Sequence, residues 1–167
     1  PAGETESSQP FDSEDAPMEV VIVNEVTALL ENKPGRLAKI CSALAQEKVD
    51  LLAISVMEAD GPSVLRLVTS DLEATKKVLT SLGTEYKVAE VISAQIENRA
   101  GSLAKVLEKL ASENINIDYA YVSGGPSQGK SLGIFRAANP KRALQVLNET
   151  ASPPAEKAGG RRPLHSR

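Results

Sequence analysis

Tryptophan is absent from this chain of 167 residues, and aromatic residues make up only 3% of it. That scarcity removes the stacking platforms that hold single-stranded nucleic acid. It also obliges the core to be built from Val, Ile, Leu and Ala. One cysteine, Cys41, excludes an intramolecular disulfide and a thiolate-rich metal site. The one histidine, His165, lies among Arg, Pro and Ser near the end of the chain. A nucleophile–base pair or a metal site therefore has almost nothing to be assembled from, and neither catalysis nor a cofactor is expected. The formal charge of −3 supplies no basic field for nucleic acid. No run approaches the ~18 consecutive apolar residues of a membrane-spanning helix.

What is present is enough for a compact core. The hydrophobic share is 41%, and the ends of the chain dilute it. Residues 1–17 are rich in Ser, Pro and acid, and residues 151–167 in Ala, Pro, Gly and Arg. Neither segment has the apolar surface to offset the entropy of ordering its backbone, so both are expected to be disordered tails. The acidic first segment lacks the apolar run of a secretory signal, which makes a cytoplasmic location the expectation.

Between the tails the chain repeats itself. Glu31-Asn32-Lys33-Pro34-Gly35-Arg36-Leu37-Ala38-Lys39-Ile40 returns 66 residues later as Glu97-Asn98-Arg99-Ala100-Gly101-Ser102-Leu103-Ala104-Lys105-Val106. Val49-Asp50-Leu51 falls on Ile115-Asn116-Ile117 at the same offset. An internal duplication constrains the fold more than any single residue does.

Each copy reads as a strand, a glycine turn and an amphipathic helix. Val20–Leu30 is a strand by β-favouring composition. The helix that follows carries Leu37, Ile40, Cys41 and Leu44 on one face, which makes Cys41 a packing residue. Val49–Met57 and Val64–Thr69 read as strands joined at Asp60-Gly61-Pro62. Asp71 caps a second helix that buries Leu72, Val78, Leu79 and Leu82 and stops at Gly83. From Tyr86 the cycle restarts, with Leu103, Val106, Leu107, Leu110, Leu144 and Leu147 as the inward positions of its helices. The second hairpin, Ser123–Gly129, is two residues longer and lacks the Lys-Ser/Thr of a phosphate loop. The fold expected is α+β: two tandem ferredoxin-like βαββαβ units over 18–85 and 86–150, with helices on one face of antiparallel sheets.

Strand lengths carry a further expectation. Tyr86–Ile96 is long enough to close the first unit and open the second. Val20–Leu30 is equally long, although no unit precedes it, and Pro153-Pro154 leaves no room for a last strand. Glu19–Val23 is therefore expected to supply the edge strand that the second unit lacks; a dimer partner is the alternative source.

Asn32-Lys33-Pro34-Gly35-Arg36-Leu37, its copy Asn98–Leu103 and the strand entry Asn114-Ile115-Asn116-Ile117 resemble the ACT domain, a small-molecule-binding regulatory module. The resemblance covers roughly residues 18–150 and is to stand-alone proteins made of two such units. It implies an amino-acid ligand at the interface of two units, touching the glycine turns and tying them together. The residues it marks are Asn32, Lys33, Pro34, Gly35, Arg36, Leu37 and Asp50, then Asn98, Arg99, Ala100, Gly101, Ser102, Leu103 and Asn116. Helix N-termini and glycine backbones suit a carboxylate. The same asparagines also serve as helix caps or turn formers, the arginines as solvated charges, and Asp50 and Asn116 as turn supports. Ala100 in place of proline makes the second turn the less preorganised. A metabolic enzyme and a second copy of the chain are the macromolecular partners implied. The competing reading is a protein–protein interaction module, or a regulatory subunit of the acetolactate synthase kind, without a ligand of its own.

Overall fold

The structure, a computed structural model, describes residues 18–124 and 129–149. The two tails and part of the second hairpin lie outside them. In chain order the elements are β1 (Val20–Leu30), α1 (Arg36–Gln46), β2 (Leu51–Met57), β3 (Ser63–Thr69), α2 (Leu72–Ser81), β4 (Tyr86–Glu97), α3 (Ser102–Ser112), β5 (Ile117–Gly124), β6 (Lys130–Ala137) and α4 (Pro140–Asn148). The strands form a single six-stranded sheet in the order β2-β3-β1-β4-β6-β5, every neighbouring pair antiparallel.

The centre of that sheet is the pairing of β1 with β4, from Val20 against Ala94 to Ala28 against Tyr86. The C-terminal half of β1 also pairs with β3, and the C-terminal half of β4 with β6. Each long strand thus ends one ferredoxin-like unit and begins the other. The N-terminal residues of β1 take the place of the second unit's missing strand, and the Gln95 N–H donates to the Glu19 carbonyl at 2.9 Å to extend the ladder.

All four helices cover the same face. Val26, Ala28 and Leu30 of β1 pack with Ile40, Leu44, Leu65, Leu67, Val78 and Leu79 under α1 and α2. Val20, Ile92, Ala94 and Ile96 pack with Val106, Leu110, Phe135, Ala137, Val146 and Leu147 under α3 and α4. In α3 the buried face is narrower than its sequence pattern: Val106 and Leu110 are buried, while Leu103 and Leu107 remain exposed. The two outer strands are edges, and β2 leaves Leu52, Ile54 and Val56 about half exposed.

The two cores are not copies in detail. Beyond the longer hairpin the repeat offset becomes 68 residues, so Leu65 and Leu67 of β3 correspond to Gly133 and Phe135 of β6. A Cβ on Gly133 would stand 2.6 Å from Phe135 Cε2 and 2.9 Å from Ile96 Cδ1. The Phe135 ring therefore fills the space that the missing side chain leaves. Because Phe135 is fully buried, it cannot swing away. Gly133→Ala is expected to lower unfolding free energy by about 1–3 kcal/mol in urea denaturation. Adding Phe135→Leu should recover part of that loss, although Phe135→Leu alone is destabilising.

Candidate functional site

The two glycine turns have the same backbone. Gly35 has φ 85° and ψ −11°, and Gly101 has φ 87° and ψ −15°. That left-handed region is where a residue with a Cβ is strained. The N–H of Lys33 donates to the Glu31 carbonyl at 2.8 Å, and that of Arg99 to the Glu97 carbonyl at 2.9 Å. The amides of Lys39 and Lys105 then reach the carbonyls of Gly35 and Gly101 at 2.9 and 3.0 Å. Replacing Pro34 by Ala100 has not changed the turn, because these hydrogen bonds and the glycine conformation define it without the ring.

Neither α1 nor α3 receives a side-chain cap. In contrast, Asp71 Oδ1 accepts from the Ala74 amide at 2.9 Å, and Asn139 Oδ1 from the Arg142 amide at 3.0 Å. Asn32 and Asn98 therefore are not helix caps: the capping position belongs to the glycines, and the Asn98 amide donates to the Gly129 carbonyl at 2.7 Å. The first-turn amides of α1 and α3 carry the partial positive charge of a helix N-terminus. Nothing lies within 4 Å of where a Cβ would stand on Gly35 or Gly101. The marked cations are already engaged: Lys33 Nζ lies 3.1 Å and Arg36 Nη2 3.6 Å from Glu31, and Arg99 Nε lies 2.6 Å from Glu97. The hydrogen bond from Lys33 holds the Glu31 carboxyl below the usual carboxylate range. Pro34 is exposed, Leu37 and Ser102 are half-buried, and Leu103 is exposed at the start of α3.

The turns do not meet. Since β1 and β4 are antiparallel, the C-terminal end of β1 and the C-terminal end of β4 lie at opposite ends of the sheet. From the register, Leu30 and Glu97 are separated by about 13 residues of strand, or roughly 40 Å. The expectation that one ligand ties both turns of a chain together is corrected by this geometry. Asp50 and Asn116 stand at the entries to β2 and β5, beyond the C-terminal ends of α1 and α3. The Asp50 amide donates to Ser70 Oγ at 2.9 Å, and Asn116 Nδ2 donates to Asp118 Oδ1 at 3.3 Å. Each is therefore a helix length away from the turn of its own unit.

The face without helices holds a group that the sequence reading passed over. Glu25 of β1 is fully buried there. Tyr119 Oη donates to Glu25 Oε1, and Tyr121 Oη donates to Oε2 at 2.6 Å. The tyrosines belong to β5, three strands from β1, a flat distance of roughly 14 Å. Sheet curvature and long side chains close that gap. Arg66 Nε lies 3.9 Å from Glu25 Oε1, and the guanidinium carbon lies 3.9 Å from the centre of the Tyr119 ring. Burial, with the bonds to Glu25 next, raises the pKa of both tyrosines, so both phenols stay protonated and donate at neutral pH.

The repeat shows that the fold does not require this polarity. Glu25 corresponds to Val91, Arg66 to Ile134, Tyr119 to Ala53 and Tyr121 to Ser55. Val91, Ile134 and Ala53 form, with Val68, a buried apolar cluster on the same helix-free face. Comparison of the two halves residue by residue on that face is the signal that would have found Glu25 and Arg66.

Comparison with known proteins bears on most of the chain. The family model for an ACT domain pair matches residues 21–152. A solved Bacteroides thetaiotaomicron protein is 28% identical and superposes with a TM-score of 0.72, covering 79% of this chain and 90% of its own. The ligand-free regulatory subunit of aspartate kinase from Thermus thermophilus is 19% identical with a TM-score of 0.57, covering 79% and 95%. The corresponding Thermus flavus subunit is 20% identical with a TM-score of 0.53, covering 82% and 98%. These last two likenesses are of fold. No curated protein matches the sequence.

Glu25→Ala is expected to cost about 3–5 kcal/mol in chemical denaturation, because it strands Arg66 beside two phenols. Glu25→Val with Arg66→Ile, which copies the second half into the first, should cost less than the sum of the single changes. A double-mutant cycle measures the difference.

Proposed function

The chain belongs to the ACT domain pair family, and on that footing we propose that it is a non-catalytic regulatory protein that senses an amino acid. The observation that carries the reading is the pair of uncapped helix N-termini, each behind a glycine turn with open space above it. The other two helices of the fold are capped by their own side chains. The Arg36 and Ser102 amides donate back to the Lys33 and Arg99 carbonyls at 3.4 and 3.3 Å, and the first-turn amides after them, with no side-chain cap and no Cβ in the way, suit an incoming carboxylate. The likeness in fold to regulatory subunits of aspartate kinase is in keeping with such a role.

Asn32 to Leu37 and Asn98 to Leu103 form two separate contact regions, one at each end of the sheet. A ligand held between units then needs a neighbouring surface from a second copy or from the regulated enzyme. The exposed edge strand β2, with Leu52, Ile54 and Val56, offers one. In this reading Asp50 and Asn116, at the entries to the edge strands, serve a neighbouring copy's turn rather than their own. For regulation, the ligand must bind one arrangement of these surfaces better than another, by about 1–3 kcal/mol.

Among the described residues, no helix is long and apolar enough to cross a membrane. The proposed setting is the cytoplasm, beside an enzyme of amino-acid metabolism.

A thermal-shift screen of the purified chain against the common amino acids tests the reading. A ligand present at one hundred times its Kd adds about 2.7 kcal/mol of stability, and the midpoint should rise for one amino acid or a related group. Gly35→Val or Gly101→Val should remove that rise. No rise with any amino acid would favour the competing reading, a protein-binding module without a ligand.

A further inference from the structure

The helix-free face carries a second place of defined chemistry, away from the glycine turns. Strand register arranges it as two rows across β3, β1 and β4. In the first row, Thr27 is paired with Arg66 on one side and Lys87 on the other. In the second row, two residues further along β1, Leu29 is paired with Val64, and its amide donates to the Glu85 carbonyl at 3.2 Å. Residues two apart on a strand face the same side, so Thr27, Leu29, Val64, Arg66 and Lys87 point away from the helices, with Glu85 just ahead of β4. With Thr80, Gly83, Thr84 and Tyr86, which close it at the end of α2, they line an open groove of about 770 Å³.

The composition of these rows is that of a receptor for an apolar amino acid. Arg66 and Lys87 flank the Thr27 hydroxyl and present two cations and a hydrogen-bonding group to a carboxylate. Leu29 and Val64 are the apolar floor beside them, and Glu85 stands on the rim within reach of an ammonium group. Leu29 is 46% exposed, and a bound side chain would cover it. Arg66 is ion-paired with Glu25 at 3.9 Å but not hydrogen-bonded to it: among the described residues Arg66 Nε is the buried side-chain nitrogen without a hydrogen-bond partner. Lys87 makes none of the ion pairs found among the described residues.

The second half again provides the control. The residues in the equivalent first row are Ile134, Ser93 and Val21, without a cation. The Gln95 amide donates to the Glu19 carbonyl at 2.9 Å there, the counterpart of Leu29 to Glu85. The backbone is therefore repeated and the charges are not, so the strand geometry alone does not call for them. Glu25, Tyr119 and Tyr121 fix the Arg66 side chain from behind.

We propose that Arg66, Thr27 and Lys87 hold the carboxylate of an apolar amino acid whose side chain lies on Leu29 and Val64, one ligand per chain. The proposal takes its ligand class from the amino-acid reading above and adds a site distinct from the glycine turns. Amide chemical-shift titration of the full chain with each of the twenty amino acids tests it, using L-leucine, L-isoleucine, L-valine and L-methionine as the probes of the groove. Shifts at Thr27, Leu29 and Lys87 with one of these four are expected. Lys87→Gln and Thr27→Val should each weaken that binding at least tenfold. Lys87 is exposed, and its variant leaves the Glu25–Arg66 pair intact, so folding is not at issue. Binding of an amino acid that ignores Lys87→Gln and Thr27→Val would overturn the groove and leave the sensor reading standing. Binding confined to charged or polar amino acids would do the same. An absence of binding by all twenty would overturn both.

Discussion

The antiparallel pairing of β1 with β4 is the constraint from which the rest of the molecule follows. It runs from Val20 against Ala94 to Ala28 against Tyr86, and it is long because each strand does two jobs. The first half of β1 completes the unit built on β4, and the first half of β4 completes the unit built on β1. Val20 accordingly belongs to the core under α3 and α4, whereas Tyr86 packs against the core under α1 and α2. Neither half of the chain can close its own core without residues of the other. The same pairing sends the two glycine turns to opposite ends of one sheet, so a chain with two similar turns presents two separate surfaces rather than one shared cleft.

Duplication also separates what the fold demands from what this chain has added. The helix-covered face is apolar in both halves, with exchanges such as Leu65 and Leu67 for Gly133 and Phe135, where the ring stands in the space beside the glycine. The helix-free face is not. Where the second half keeps Val91 and Ile134 in a dry cluster, the first buries Glu25 beside Arg66 and recruits two phenols from the far edge of the sheet. Removing a carboxylate from water costs several kcal/mol even after the protein relaxes. Two O–H donors and a guanidinium offset that cost here, but an apolar cluster occupies the matching place without incurring it. The ionic version therefore adds a fixed cation beneath an open groove rather than stability.

Much of this was legible in the residues. The repeat of Glu31–Ile40 at Glu97–Val106 located both turns, Asp71 marked its helix, and the unexplained length of Val20–Leu30 pointed to a strand shared between units. The limits had physical causes. Asn32 and Asn98 have the chemistry of helix caps, yet a glycine in the left-handed region three residues later takes that position. The run of leucines in α3 suggested a wide buried face, but only Val106 and Leu110 are buried, and Leu103 and Leu107 stay in solvent. Nothing near Tyr119 and Tyr121 in the sequence marks them as polar partners, because Glu25 is 94 and 96 residues away. A linear pattern does not carry a contact across three strands. Nor does it show that parallel-looking turns sit on strands running in opposite directions.

Native-state hydrogen exchange, followed residue by residue across β1, β4 and β6 in increasing denaturant, tests the shared-strand architecture most directly. If β1 and β4 hold the two halves as one cooperative body, the amides of Val23, Val91 and Ile134 should exchange through a common global opening with one free energy and one denaturant slope. If β4 and β6 open at a lower free energy while β1 and β3 stay protected, the halves are independent, and the account of a chain closed upon itself by its first strand is wrong.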